Sequence, residues 1–179
     1  MRTALFASLT LALSACGDPL FFAEVEAKQM CITLPSQTIP SAPDISEDHT
    51  VRYTATLDLG DGIPGLGEKG TTGTIKATSL RLNSTTDMSV IRSARVDLGS
   101  DENQPTPYMH YEQLPEADPT TLAMTIDQDI DLFTRLAESK TIDIVISLTG
   151  RPPTESWTAD ITTCMSAKIQ MDPLELIKK

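Results

Sequence analysis

A stretch of strict alternation constrains this chain more than any other feature. From Val51 to Leu59, the residues Val51, Tyr53, Ala55, Leu57 and Leu59 alternate with Arg52, Thr54, Thr56 and Asp58. A period of two puts one set on each face of a β-strand, so one face is buried and the other wet. Ile142, Ile144, Ile146 and Leu148 repeat the pattern. On a helix the same spacing would scatter apolar residues around the circumference and leave no face to bury. Weaker versions follow: Leu20 to Ala27 and on through Met30 to Leu34, Ser89 to Leu98, Tyr108 to Leu114, Leu122 to Ile126, and Trp157 to Ile169. In Ser89 to Leu98 the inward set reads Val90, Ala94, Val96 and Leu98, with Arg92 interrupting it and Arg95 and Asp97 on the other face. In Thr74 to Leu82 the apolar phase switches from Ile75 and Ala77 to Leu80 and Leu82, which predicts a β-bulge near Thr78-Ser79.

Prolines and glycines divide these segments. Pro35, Pro40 and Pro43 mark a loop over 35–46, and six glycines with Pro64 mark a long turn or flexible loop from Gly60 to Gly73. Gly99 to Thr106 is polar, and Gly150 to Ser156 holds Pro152-Pro153. Only Gln128 to Ser139 carries helical spacing, with Ile126, Ile130, Phe133 and Ala137 on one face. Asp127, Asp129 and Asp131 then fall where a helix start favours negative charge. Asp172-Pro173 has the chemistry to begin a short terminal helix. Seven to nine short strands separated by turns predict an all-β chain. The expected fold is an antiparallel immunoglobulin-like β-sandwich with one short crossover helix, a single domain over 20–171 followed by a tail over 172–179.

The first residues carry a different signal. Met1-Arg2-Thr3 is a short positive segment, and Ala4 to Ala12 is an apolar run too short to cross a bilayer, which takes roughly 20 residues. Leu13-Ser14-Ala15-Cys16 closes it. This resembles the lipobox of bacterial lipoproteins: an aliphatic residue, two small residues and a cysteine at the end of a cleaved signal. The resemblance covers about the first 18 residues. It implies a signal peptide over 1–15, a lipidated N-terminus over 16–19 with the acyl chains on Cys16, and attachment to a bacterial membrane. Gly17 in place of Asp after the cysteine points to the outer membrane, facing the periplasm or the cell surface.

Cleavage leaves 164 of the 179 residues and 13 basic against 25 acidic side chains, a net charge of −12. Such a surface repels phosphate backbones, so no nucleic-acid partner is expected. Of the three cysteines, Cys31 and Cys164 remain as an even pair once Cys16 carries lipid. Outside the cytosol they are expected to form a disulfide.

Candidate chemistry is sparse. Gly60-Asp61-Gly62-Ile63-Pro64-Gly65 fits G-x-G-x-x-G, but Pro64 and the later glycines forbid the helix that a dinucleotide site requires. Gly62 to Lys69 nearly fits a phosphate-binding loop, with Glu68 where its lysine belongs. Asp127, Asp129, Asp131 and Glu138 stand at positions 1, 3, 5 and 12 of an EF-hand calcium loop. Against that, Leu132 replaces the glycine at position 6, Arg135 brings positive charge to position 9, and a strand precedes the run. Acids at a helix start are the simpler reading. His49 and His110 are the only histidines, there is no G-x-S-x-G elbow, and Trp157 reads as a core residue before a sugar platform. No cofactor is called for. The expectation is a non-enzymatic, lipid-anchored binding or structural accessory domain whose partner is an envelope protein or glycan. A small-ligand or calcium-binding module and an envelope hydrolase are the alternatives.

Overall fold

The computed structural model describes residues 23–44, 46–59, 62–63, 65–99, 106–113 and 118–172. The lipobox with Cys16, and the expected terminal helix beyond Asp172, lie outside these residues. In chain order the elements are β1 (Ala23–Ile39), β2 (His49–Asp58), β3 (Thr71–Asn83), β4 (Ile91–Leu98), β5 (Thr106–Glu112), β6 (Thr121–Ile126), α1 (Phe133–Ser139), β7 (Thr141–Gly150) and β8 (Trp157–Met171). The all-β expectation holds. The strands form one curled antiparallel sheet in the order β1-β8-β3-β6-β5-β4-β7-β2.

The pairing is nested: β1 with β8, β2 with β7, β3 with β6, β4 with β5. This is the connectivity of a jelly roll, a long antiparallel ribbon rolled up on itself. It differs from the ABED and CFG strand groups of an immunoglobulin domain. β6 is the corner of the roll. Its first part, Thr121 to Met124, pairs with β3, whereas Thr125 and Ile126 pair with β5.

Alternation produces the core as expected. Val51, Ala55, Leu57 and Leu59 on the first clear strand are buried and join one cluster with Ile142, Ile144, Ile146 and Leu148 of β7. Each buried valine, leucine or isoleucine of this set contributes about 1.5–3 kcal/mol. Trp157, 6% exposed, belongs to the same core. The bulge in β3 falls between Ala77 and Ser79, as the phase switch predicts.

Four expectations are corrected. Val90 is exposed and Ile91 takes the inward place, because the register slips by one between Ile91 and Ser93 and throws Arg92 out. β1 runs straight through Pro35 and Ser36 to Ile39, into the expected loop. Proline is tolerated there because β1 is the edge strand, and the slip between Leu34 and Gln37 takes it up. Of the two readings of the glycine-rich segment, the turn holds for its described residues and the flexible loop does not: Ile63 and Leu66 are in the core, and β3 begins at Thr71. Gly67 there has φ +77°, and a Cβ on it would meet the Ala137 carbonyl of α1 at 2.6 Å, so only glycine fits that approach. Finally, α1 begins only at Phe133, with no acidic residue in its first turn.

Candidate functional site

The outer face of the β2-β7-β4-β5 half carries rows of outward polar side chains over which a groove runs. Antiparallel register aligns its residues in rows across the strands. Arg52 of β2 stands opposite Ser147 of β7, Ser147 opposite Arg95 of β4, and Arg95 opposite His110 of β5. In the next row Thr50 faces Thr149, and Thr149 faces Ser93. A groove of about 360 Å³ runs over these rows, lined by Arg52, Arg95, Asp97, Ser93, Ser147 and Thr149 among others. The alternation that buries Val51 and Ile146 is what turns Arg52 and Ser147 outward.

Asp97 is the unusual member. It sits on the outer face, yet is 7% exposed. Its carboxylate accepts from Arg95 Nε at 2.6 Å. A carboxylate removed from water costs several kcal/mol unless it is paired, and Arg95 supplies that pairing. The bond uses one of the five N–H donors of the guanidinium and leaves the others for a further acceptor. Among the described residues Arg52 has no ion-pair partner, so in a chain of net charge −11 the groove presents two arginines against one carboxylate. Arginine forks, hydroxyls and a fixed acceptor suit recognition by hydrogen bonds. Among the described residues that line the groove, no hydroxyl is hydrogen-bonded to a histidine or carboxylate that could act as its base.

The acidic run does not gather into a ligand set. Asp131 Oδ1 accepts from two backbone amides, Ile75 N–H at 2.9 Å and Phe133 N–H at 2.9 Å. Asp129 binds Lys76 Nζ at 2.5 Å. Asp127 bonds to Nδ1 of His110. Glu138 is exposed on α1. The physical reason lies at the corner. Where β6 leaves β3 for β5, the β3 edge at Ile75–Ala77 loses its strand partner, and its polar groups need others. Asp131 takes the Ile75 N–H, Leu132 N–H donates to the Ile75 carbonyl at 2.7 Å, and the Tyr108 hydroxyl accepts from Ala77 N–H at 3.1 Å. Among the described residues no group of three or more His, Cys, Asp or Glu is arranged to hold a metal ion.

The histidines are engaged by carboxylates. His49 Nε2 lies 3.2 Å from Asp44, whose same oxygen accepts from the Ser46 hydroxyl at 2.7 Å. These bonds, with the Ser46 amide, hold the Asp44 carboxyl at a pKa of about 2. The aspartate stands between serine and histidine, whereas a hydrolytic triad needs the histidine in the middle. Among the described residues His110 has Asp127 alone as side-chain partner.

Cys31 and Cys164 stand directly opposite each other on β1 and β8 and are bonded, S–S 2.09 Å. The expected pairing is therefore present, 133 residues apart in sequence. No family model, no curated protein and no solved structure matches the chain. Sequence reading missed the groove. It placed Arg95 and Asp97 on one face, and Arg52 outward on another strand, but had no signal that Ser147 lies between the arginines.

Proposed function

We propose that this chain is a lipid-anchored bacterial envelope lipoprotein whose β domain works as a non-enzymatic binding module. The observation that carries the reading is the Cys31–Cys164 bond. With those two sulfurs joined, Cys16 is the one cysteine left over, and it ends an apolar N-terminal run in Leu-Ser-Ala-Cys. A free exported thiol would be a liability, whereas an acylated one is an anchor. More than one acyl chain holds a protein firmly, since each buried methylene contributes about 0.8 kcal/mol. That accounts for attachment of so acidic a domain without basic residues against lipid headgroups. Gly17 favours the outer membrane, on the periplasmic or external side. Binding is favoured over catalysis because, among the described residues, each histidine has an aspartate as its hydrogen-bond partner and neither bonds to a hydroxyl or thiol that it could activate.

Labelling cells with an acyl-chain analogue tests the anchor. The native chain is expected to carry label and to fractionate with membrane, and Cys16→Ser to lose both. A Cys16→Ser chain that stays with the membrane overturns the reading.

A further inference from the structure

The groove over β2, β7 and β4 deepens that reading by naming a ligand class, and so rests on the chain being a binding module. We propose that it binds an acidic saccharide, with the sugar's acid group held between Arg52 and Arg95 above Ser147 and its hydroxyls along Ser93, Thr149 and Asp97.

Three observations converge. First, the spacing suits one acid group. Arg52 and Arg95 lie two strands apart, about 10 Å at the backbone from the usual ~4.8 Å step, a gap two arginine side chains close around a single carboxylate or phosphate. Second, the floor is built. The Asp97 side chain is nine-tenths buried in the groove and bonded to Arg95 Nε at 2.6 Å. A buried carboxylate on a wet face adds little stability by itself. Its effect is to fix the Arg95 fork, making Asp97 a positioning residue. Third, beside Ala94, Gly99 and Val145 the remaining lining carries four hydroxyls, those of Ser93, Ser147, Thr149 and Thr50. Thr50 and Thr149 share one hydrogen bond at 2.9 Å, and the capacity this leaves over, with that of Ser93 and Ser147, matches sugar hydroxyls, which both donate and accept. The groove has no aromatic platform, so affinity depends on the charge and hydrogen bonds. All of these residues are on strands, and little ordering is needed on binding.

The test is calorimetry on the full chain purified in detergent. The probes are oligogalacturonate, a sugar phosphate (glucose 6-phosphate), the neutral sugar glucose, and inorganic phosphate alone. Binding of an acidic sugar with at least tenfold preference over glucose is expected, and the two acidic probes show whether carboxylate or phosphate is the better acid. Arg52→Ala and Arg95→Ala should each weaken binding about tenfold or more, the worth of a charged hydrogen bond. Arg52→Lys, which keeps charge without the fork, should fall between native and alanine, and Asp97→Asn should weaken binding with its thermal midpoint checked in parallel. No binding of either acidic sugar, equal binding of glucose, or undiminished binding by Arg52→Ala overturns the proposal. So does inorganic phosphate binding as tightly as the sugar phosphate, which would mark an adventitious ion only. Because acyl labelling of Cys16 is read separately, failure here leaves the anchor reading standing, and loss of labelling leaves the groove result standing.

Discussion

Asp127, Asp129 and Asp131 lie on one short segment and are turned toward three different partners, whereas Arg52, Ser147 and Arg95 come from three strands and meet in one groove. The acidic run has the look of a ligand set in sequence, yet its charges are engaged by the fold: Asp131 covers the β3 edge that β6 abandons, Asp129 pairs with Lys76 of β3, and Asp127 holds His110 of β5. The groove has no sequence signature at all, yet it keeps Arg52 without an ion-pair partner among the described residues and Arg95 only partly engaged. Proximity along the chain is a poor guide to convergence in space. A residue acquires a structural duty when a backbone group nearby lacks a partner, and is available for a ligand when its neighbours are already satisfied.

Substitutions can break this contrast. The largest effect is expected from Asp131→Ala, which strips a charged acceptor from two amides and should cost about 2 kcal/mol in urea unfolding at neutral pH. A loss within about 0.5 kcal/mol, as at an indifferent surface site, would show that the run is not structural. Next comes Tyr108→Phe, which leaves Ala77 N–H without its acceptor and should cost about 1 kcal/mol. The same residue has a pH signature. Burial, joined by the nearby Asp129 charge and opposed by the Ala77 bond, raises the phenol above its ordinary value of 10. A raised folded-state value means stability that is intact below pH 10 and lost as pH climbs through the folded value. Burial raises Tyr53 and Tyr111 as well, so Tyr108→Phe should remove one share of the alkaline loss, read as a flatter fall of thermal midpoint above pH 10. The smallest effect sharpens the comparison from inside the run. Asp129→Asn removes a pair whose two side chains are 70% and 42% exposed, and should cost under about 1 kcal/mol.

Much of the fold was legible because period two is a property of a single strand. It located the buried faces of β2 and β7 and, through its phase switch, the bulge at Ala77–Ser79. What it could not give is neighbour order, since alternation says which face a residue occupies and nothing of which strand lies alongside. Hence a sandwich of immunoglobulin type was expected where the pairing is nested. Val90 was misplaced for a related reason: a slip at Arg92 inverts the phase, and an arginine in an apolar row reads equally well as an interruption. The helix was drawn too long because Asp127, Asp129 and Asp131 are good helix-start residues wherever no strand edge competes for them. The cysteine pair was legible because three cysteines, one of them in a run that resembles a lipobox, leave a single expected pairing.

That pairing also sets a load path. If the chain is anchored at Cys16 as proposed, a pull from that end reaches the described residues at Ala23, the start of an edge strand that is hydrogen-bonded on one side only. Pairs there would separate in succession, Ala23 from Met171 and onward, as a zipper opens. The tear stops at Cys31. Its sulfur hands the force to β8, an interior strand gripped by both β1 and β3, so that the covalent bond turns a peelable hem into a tether stitched into the body of the sheet.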